Sequence, residues 1–128
     1  MKISYVNLSL QWKKEKKFLL PLIKKKLKEG NYVGGKEIEI FEKNISKKCD
    51  TKYAVALNSG TDALILGLIL LGVKKGDEVI TPPNSFISST SSIVNVGARP
   101  VFVDVLPDQN INPELIENSI TKKTKAIM

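Results

Sequence analysis

The chain has 128 residues, of which 42% are hydrophobic and 26% charged, as in a globular domain large enough to bury a core. Its single cysteine, Cys49, excludes an internal disulfide framework and suits a reducing, cytoplasmic compartment. No apolar run approaches the roughly 20 residues that cross a bilayer, and no signal peptide is expected. Histidine is absent, which removes the commonest general base and metal ligand, so we predict no metal site.

The net charge of +7 comes almost entirely from lysine, because Arg99 is the one arginine. Base readout and bidentate phosphate contacts favour arginine. The lysines cluster inside segments with helical apolar spacing, where solvated helix faces are the simpler interpretation. We therefore predict neither a nucleic-acid partner nor a membrane partner. A small phosphate-binding or nucleic-acid-binding protein is kept as an alternative.

The first part of the chain, over 1–50, is predicted to form an N-terminal helical segment. The pattern indicates a β-like start at 1–10 with a turn near Asn7. A helix follows at about 11–29, kinked or restarted at Pro21, and ends at Gly30 and Asn31. A second helix is predicted at about 36–48. Neither helix can bury its apolar stripe alone.

From residue 51 onward, short apolar runs alternate with helical patterns. In chain order these are strands at 53–57, 78–81, 100–103 and 124–128, and helices at 61–71, at 86–96 and from 113. This alternation predicts an α/β fold with a mostly parallel sheet covered by helices over 51–128. Because the last predicted strand lies at the end of the sequence, we expect a partial domain, the first part of something longer.

The most informative motif is NSGTDAL at 58–64, a polar turn between a predicted strand and an apolar helix. The free N–H groups and the dipole of a helix's first turn form an anion site. Gly60 permits close approach and Thr61 adds a hydroxyl donor. The expected guest is a phosphate, and the alternative is an ordinary capped helix start.

Two further residues follow predicted strands at their carboxyl ends. Phe86 comes after the stiff segment TPPNS at 81–85. Its ring could stack on a planar ligand, although the pattern alone favours a core position. Asp104 follows the strand at 100–103, where we favour a structural role in the next turn, around Pro107 and Asp108.

Four motifs occur in one order: NSGTDAL at 58–64, GDEVITP at 76–82, GARPVFVD at 97–104 and TKAI at 124–127. Together they resemble the N-terminal part of the DegT/DnrJ/EryC1/StrS family. These are sugar aminotransferases that depend on pyridoxal phosphate (PLP) and have the fold-type I architecture of aspartate aminotransferase. GNYVGG at 30–35 also resembles the family's entry segment, so the resemblance covers nearly the whole chain.

The resemblance implies that Gly60 and Thr61 hold the PLP phosphate through N–H groups and a hydroxyl. It also implies that Phe86 lies against the pyridine ring, which reverses the preference for a core position. The implied reaction aminates a keto carbon of a nucleotide-diphosphate sugar, with glutamate as the donor. The implied enzyme is a cytoplasmic homodimer of cell-wall or polysaccharide biosynthesis. Family members that dehydrate the sugar are an alternative.

The reactive centre implied by the resemblance lies outside this sequence. The family's Schiff-base lysine and the carboxylate at the pyridine nitrogen come after the motif at 124–127, and no lysine here matches that position. We therefore expect no catalytic residue in this chain and no activity of the chain alone. A truncated relative that serves as an interaction module is the alternative from a different functional class.

Overall fold

The structure is a computed structural model that describes residues 5–30 and 32–128. The chain divides into two compact units, Met1–Ala56 and Leu57–Met128. The sequence pattern predicts a division at 50/51. None of the helices in the described ranges is both long enough and apolar enough to cross a membrane.

The first unit contains two helices, α1 (Leu8–Glu29) and α2 (Lys36–Lys48). α1 begins earlier than predicted because the Asn7 side chain accepts a hydrogen bond from the Leu10 N–H (3.0 Å) and caps the helix. The helix continues through Pro21 as one element. The bounds of α2 agree with the prediction.

The β-like prediction for 1–10 is wrong where the structure can be compared with it. Residues 8–10 belong to α1, and residues 1–4 lie outside the described residues. Asn31, predicted to share in ending the first helix, also lies outside them. Gly30 does end α1, with the left-handed φ of 69° that glycine adopts at little cost.

The second unit, after Ala56, consists of alternating helices and strands. In chain order they are α3 (Gly60–Leu70), β1 (Glu78–Thr81), α4 (Ile87–Asn95), β2 (Arg99–Phe102), α5 (Pro113–Ser119) and β3 (Thr124–Ile127). The three strands are parallel and lie in the order β2-β1-β3. The predicted parallel α/β arrangement is confirmed: α4 connects β1 to its neighbour β2, and α5 lies between β2 and β3, which pair with opposite edges of β1.

The core of this unit joins the sheet to two helices. Leu68 of α3, Val79 of β1 and Ile93 of α4 belong to one buried cluster. Val73 and Ala98 complete it. α3 and α4 therefore cover the same face of the sheet and pack against each other.

The strand predicted at 53–57 is absent: the structure assigns no strand pairing to this segment among the described residues. Its large apolar side chains are exposed, with Tyr53 and Val55 each at 75%. An extended apolar segment becomes a strand only when a neighbour completes its hydrogen bonds, and no described strand pairs with this one.

Glu78 ties together the amino ends of the three strands. Its side chain is only 4% exposed and accepts hydrogen bonds from Arg99 at the start of β2 and from the Thr121 hydroxyl (2.7 Å) just before β3. The Arg99 guanidinium, and after it the Thr121 hydroxyl, lower the pKa of Glu78 below its ordinary value.

We expect Glu78→Gln to lower the thermal midpoint by about 5 °C at pH 7. A carboxyl group whose pKa is depressed by folding stabilises the native state above its unfolded pKa. That stabilisation disappears as the pH falls through the folded pKa, so the difference between wild type and variant should shrink in acid. Thermal denaturation followed by circular dichroism at several pH values measures this. Exposed Glu117→Gln is the control, and parallel pH profiles of wild type and Glu78→Gln would contradict the role of Glu78.

Candidate functional site

The turn at 58–60 starts α3 through a side-chain cap. Ser59 is extended (φ −154°, ψ 157°), and its hydroxyl accepts a hydrogen bond from the Asp62 N–H (3.1 Å). The Ser59 carbonyl accepts from the Ala63 N–H (3.2 Å). These two bonds satisfy the third and fourth amides of the helix and fix its first turn.

The first two amides of α3, those of Gly60 and Thr61, have no hydrogen-bond acceptor among residues 5–30 and 32–128. They carry the positive end of the helix dipole. A Cβ built on Gly60 would meet nothing within 4 Å, so no other residue fills the space on the Cβ side of this glycine. A phosphate group fits this arrangement, because it needs N–H donors, positive potential and close approach to the backbone.

Thr61 connects the start of α3 to α4 through a side-chain hydrogen bond. Its hydroxyl oxygen lies 2.8 Å from the hydroxyl oxygen of Ser88, the second residue of α4. Thr61 is half-buried, and Ser88 is 9% exposed. The first turns of α3 and α4 therefore meet at these two hydroxyl groups, and two helix N-termini are adjacent.

Phe86 immediately precedes α4 and occupies its N-cap position. Its carbonyl accepts from the Ser89 N–H (3.0 Å), and its side chain makes no capping hydrogen bond. The ring is 77% exposed and is not part of the hydrophobic core of this structure. Ser88, two residues after Phe86, makes the hydroxyl contact with Thr61. Its contact with a cofactor stays a prediction.

Asp104 makes local bonds that match the structural role preferred for it. Its carboxylate accepts from the Val105 N–H (2.8 Å), and its carbonyl accepts from the Asn112 N–H (2.9 Å). In the same turn, the backbone N–H of Asn110, and then its side-chain amide, lower the pKa of Asp108. These contacts hold the loop between β2 and α5.

Ser88 and Thr81 are not among the site residues predicted from the sequence. Ser88 is one of several serines in a helix. The serines at 88 and 92 are one turn apart, and this spacing was the signal that could have predicted a polar position on the buried face of the helix. Thr81 ends β1, is fully buried, and its hydroxyl has no hydrogen-bond partner among the described residues. Whether a buried hydroxyl finds a hydrogen-bond partner depends on the packing around it, which the sequence pattern does not specify.

Comparison with known proteins gives a consistent result. The family model of the DegT/DnrJ/EryC1/StrS aminotransferase family matches residues 13–128. The chain is 35% identical, over 98% of its own length and 35% of the relative's, to UDP-2-acetamido-2-deoxy-3-oxo-D-glucuronate aminotransferase of Pseudomonas aeruginosa.

Two solved structures match the fold. DesV of S. venezuelae matches with a TM-score of 0.91 and 35% identity, over 98% of this chain and 34% of DesV. NtdA of Bacillus subtilis, solved with its cofactor PMP bound, matches with a TM-score of 0.85 and 38% identity, over 89% of this chain and 26% of NtdA. The chain thus spans about a third of the length of the relatives that it matches.

These findings confirm the predicted fold class and the resemblance on which it partly depended. The sheet and helices are those of PLP aminotransferases of fold type I. The 128-residue chain belongs to the DegT/DnrJ/EryC1/StrS aminotransferase family.

Proposed function

We propose that this chain supplies two parts of the PLP site of a sugar aminotransferase: the phosphate-binding turn, through Gly60 and Thr61, and a surface for the pyridine ring, through Phe86. The observation that carries the proposal is the start of α3. There, two amides have no acceptor within the described part of the chain, a Cβ at Gly60 would meet nothing within 4 Å, and a threonine hydroxyl belongs to the same turn. The family membership supports PLP as the ligand whose phosphate group binds here.

In this proposal the residues bind and orient the cofactor. The N–H groups of Gly60 and Thr61 donate to phosphate oxygens, and the Thr61 hydroxyl adds a third donor. The exposed ring of Phe86 offers a flat apolar surface for a pyridine ring. PLP, when bound, supplies the electron sink through which an amino group is transferred.

We further propose the finer functional assignments that the resemblance implies. The substrate is a nucleotide-diphosphate keto-sugar, the donor is glutamate, and the complete enzyme is a cytoplasmic homodimer of polysaccharide biosynthesis. The exposed, free Cys49 is compatible with a reducing compartment. Exposed apolar residues at the end of α3, such as Leu70, provide surface for further protein to cover. We place the helical segment at 1–50 and the partial cofactor-binding domain at 51–128.

Titration of the chain with PLP, followed by its absorbance change and competed with inorganic phosphate, tests the proposal. We expect saturable binding that phosphate reverses. Reduction with borohydride and peptide mapping then asks whether any lysine reacts. We expect no single stoichiometric adduct, since we assign no catalytic residue to this chain. Absence of saturable binding would overturn the phosphate site, and one stoichiometric adduct that supports transamination would overturn the absence of a catalytic lysine.

Phe86→Ala is expected to weaken PLP binding about tenfold, the upper end of what aromatic stacking contributes. Inorganic phosphate lacks a ring, so its affinity should remain unchanged. Isothermal titration with both ligands separates the two effects. Phe86→Tyr retains a ring and should bind PLP like wild type, and Ile87→Ala, also exposed, controls for lost surface. Equal losses of PLP and phosphate affinity in Phe86→Ala would contradict stacking.

A further inference from the structure

We propose that Ser88 is a positioning residue of the phosphate site. Its hydroxyl donates a hydrogen bond to the Thr61 oxygen, which leaves the Thr61 proton free for an anion at the start of α3. The inference rests on the proposed function, because the anion is taken to be the phosphate of PLP. The inference adds Ser88, a residue of α4, to the proposed phosphate site. Its side chain acts on the phosphate through Thr61.

The geometry of the pair supports this role. The two hydroxyl oxygens are 2.8 Å apart, and Ser88 is 9% exposed. Within the described residues, this is the one side-chain hydrogen bond that joins α3 to α4. Both hydroxyls lie in first turns, so the positive ends of two helix dipoles lie close to the same place.

Either hydroxyl can donate across the 2.8 Å contact, and a bound anion selects the direction. Each hydroxyl has one proton to donate and two lone pairs that accept. If Thr61 donated to Ser88, its proton would not be available to a ligand. When an anion binds, the favourable arrangement has Thr61 donating to the anion and Ser88 donating to Thr61, and aligned hydroxyls strengthen one another.

Thr81 is a second buried hydroxyl in this unit and lies at the end of the strand that α3 and α4 cover. Its hydroxyl is fully buried and has no hydrogen-bond partner in the part of the chain that the structure describes. Side chains alternate along a strand, so Thr81 shares a face of β1 with Val79, which packs with core residues of α3 and α4. The carboxyl end of β1, beneath the helix layer, thus carries a polar group that the core itself does not satisfy.

Binding of three probes to the full chain tests the proposal: PLP, inorganic phosphate, and pyridoxal, which has the ring but no phosphate. We expect Ser88→Ala to weaken PLP and phosphate about five- to tenfold, the effect of one hydrogen bond, and to change pyridoxal affinity less than about twofold. Ser92→Ala is the matched control. Ser92 is buried one turn along the same helix, and its hydroxyl donates to the Ser89 carbonyl (3.0 Å). It should bind all three probes like wild type.

A double-mutant cycle separates positioning from packing. If Ser88 acts through Thr61, adding Ser88→Ala to Thr61→Val should cause no further loss of phosphate affinity. Ser88→Cys keeps the volume with a weaker donor and should show the same selective loss if Ser88→Ala fails to fold.

The outcomes are distinguishable. Wild-type affinity in a folded Ser88 variant, additive losses in the cycle, or equal losses for pyridoxal would overturn the role of Ser88 and leave the proposed function standing. Failure of the wild-type chain to bind both PLP and phosphate would overturn the inference together with the proposed function.

Discussion

Gly60→Asp is expected to lower the affinity for PLP and inorganic phosphate by about 100-fold or more, because its carboxylate would occupy the anion position with like charge. The fold should tolerate the change. A Cβ at Gly60 would meet nothing within 4 Å, and Gly60 is not among the glycines with positive φ. A carboxylate in the first turn of a helix contributes about 0.3–1 kcal/mol of stabilisation. We therefore expect an unchanged or slightly higher free energy of unfolding, measured by urea denaturation alongside the binding titrations.

Two further variants serve as controls. One separates the effect of the charge from that of side-chain size, and the other tests whether a change elsewhere in α3 affects binding. Gly60→Asn has nearly the same size without the charge, and should lose less affinity than Gly60→Asp. Gly67→Ala lies two turns along α3, where a Cβ also meets nothing within 4 Å. It should bind like wild type and be slightly more stable, since alanine favours helix over glycine by about 1 kcal/mol. Wild-type phosphate affinity in Gly60→Asp would show that the anion does not bind at this turn.

Much of the second unit is predictable from sequence because its boundaries carry local signals. Gly97 follows α4 and adopts a φ of 80°, a conformation that other residues rarely take. Asn112 caps α5 through its side chain, and Pro113 supplies the first helical residue, as their order predicts. These signals act within one turn of the chain, so no knowledge of distant residues is needed.

The features that escaped prediction depend on distant partners. The apolar run at 53–57 has the composition of a strand, but pairing requires a neighbour that the run itself does not specify. The bond between Thr61 and Ser88 joins residues 27 positions apart and follows from how α3 packs on α4. Spacing alone left an anion site at Gly60 and an ordinary capped helix start as alternatives, and the choice of PLP as the ligand came from the family resemblance.

Ile93→Ala is expected to lower the free energy of unfolding of the second unit by about 3 kcal/mol, within the range for large-to-small changes in a core. Ile93 is fully buried and packs with Leu68 of α3 and Val79 of β1. It lies on the helix that carries Ser88, so loss of its packing also loosens the helix pair that forms the phosphate site. Urea denaturation measures the loss, and Ile87→Ala, which is exposed on the same helix, should cost much less.

Ligand binding connects this stability to the proposed function. A ligand at 100 times its Kd stabilises the native state by about 2.7 kcal/mol when it binds only that state. Excess PLP should therefore recover most of the loss in Ile93→Ala, and should recover little in the double variant with Gly60→Asp. Equal recovery in both proteins would show that PLP stabilises the unit from a position other than the start of α3. Recovery confined to the protein with Gly60 intact would connect the packing of α3 and α4 to the binding of the phosphate.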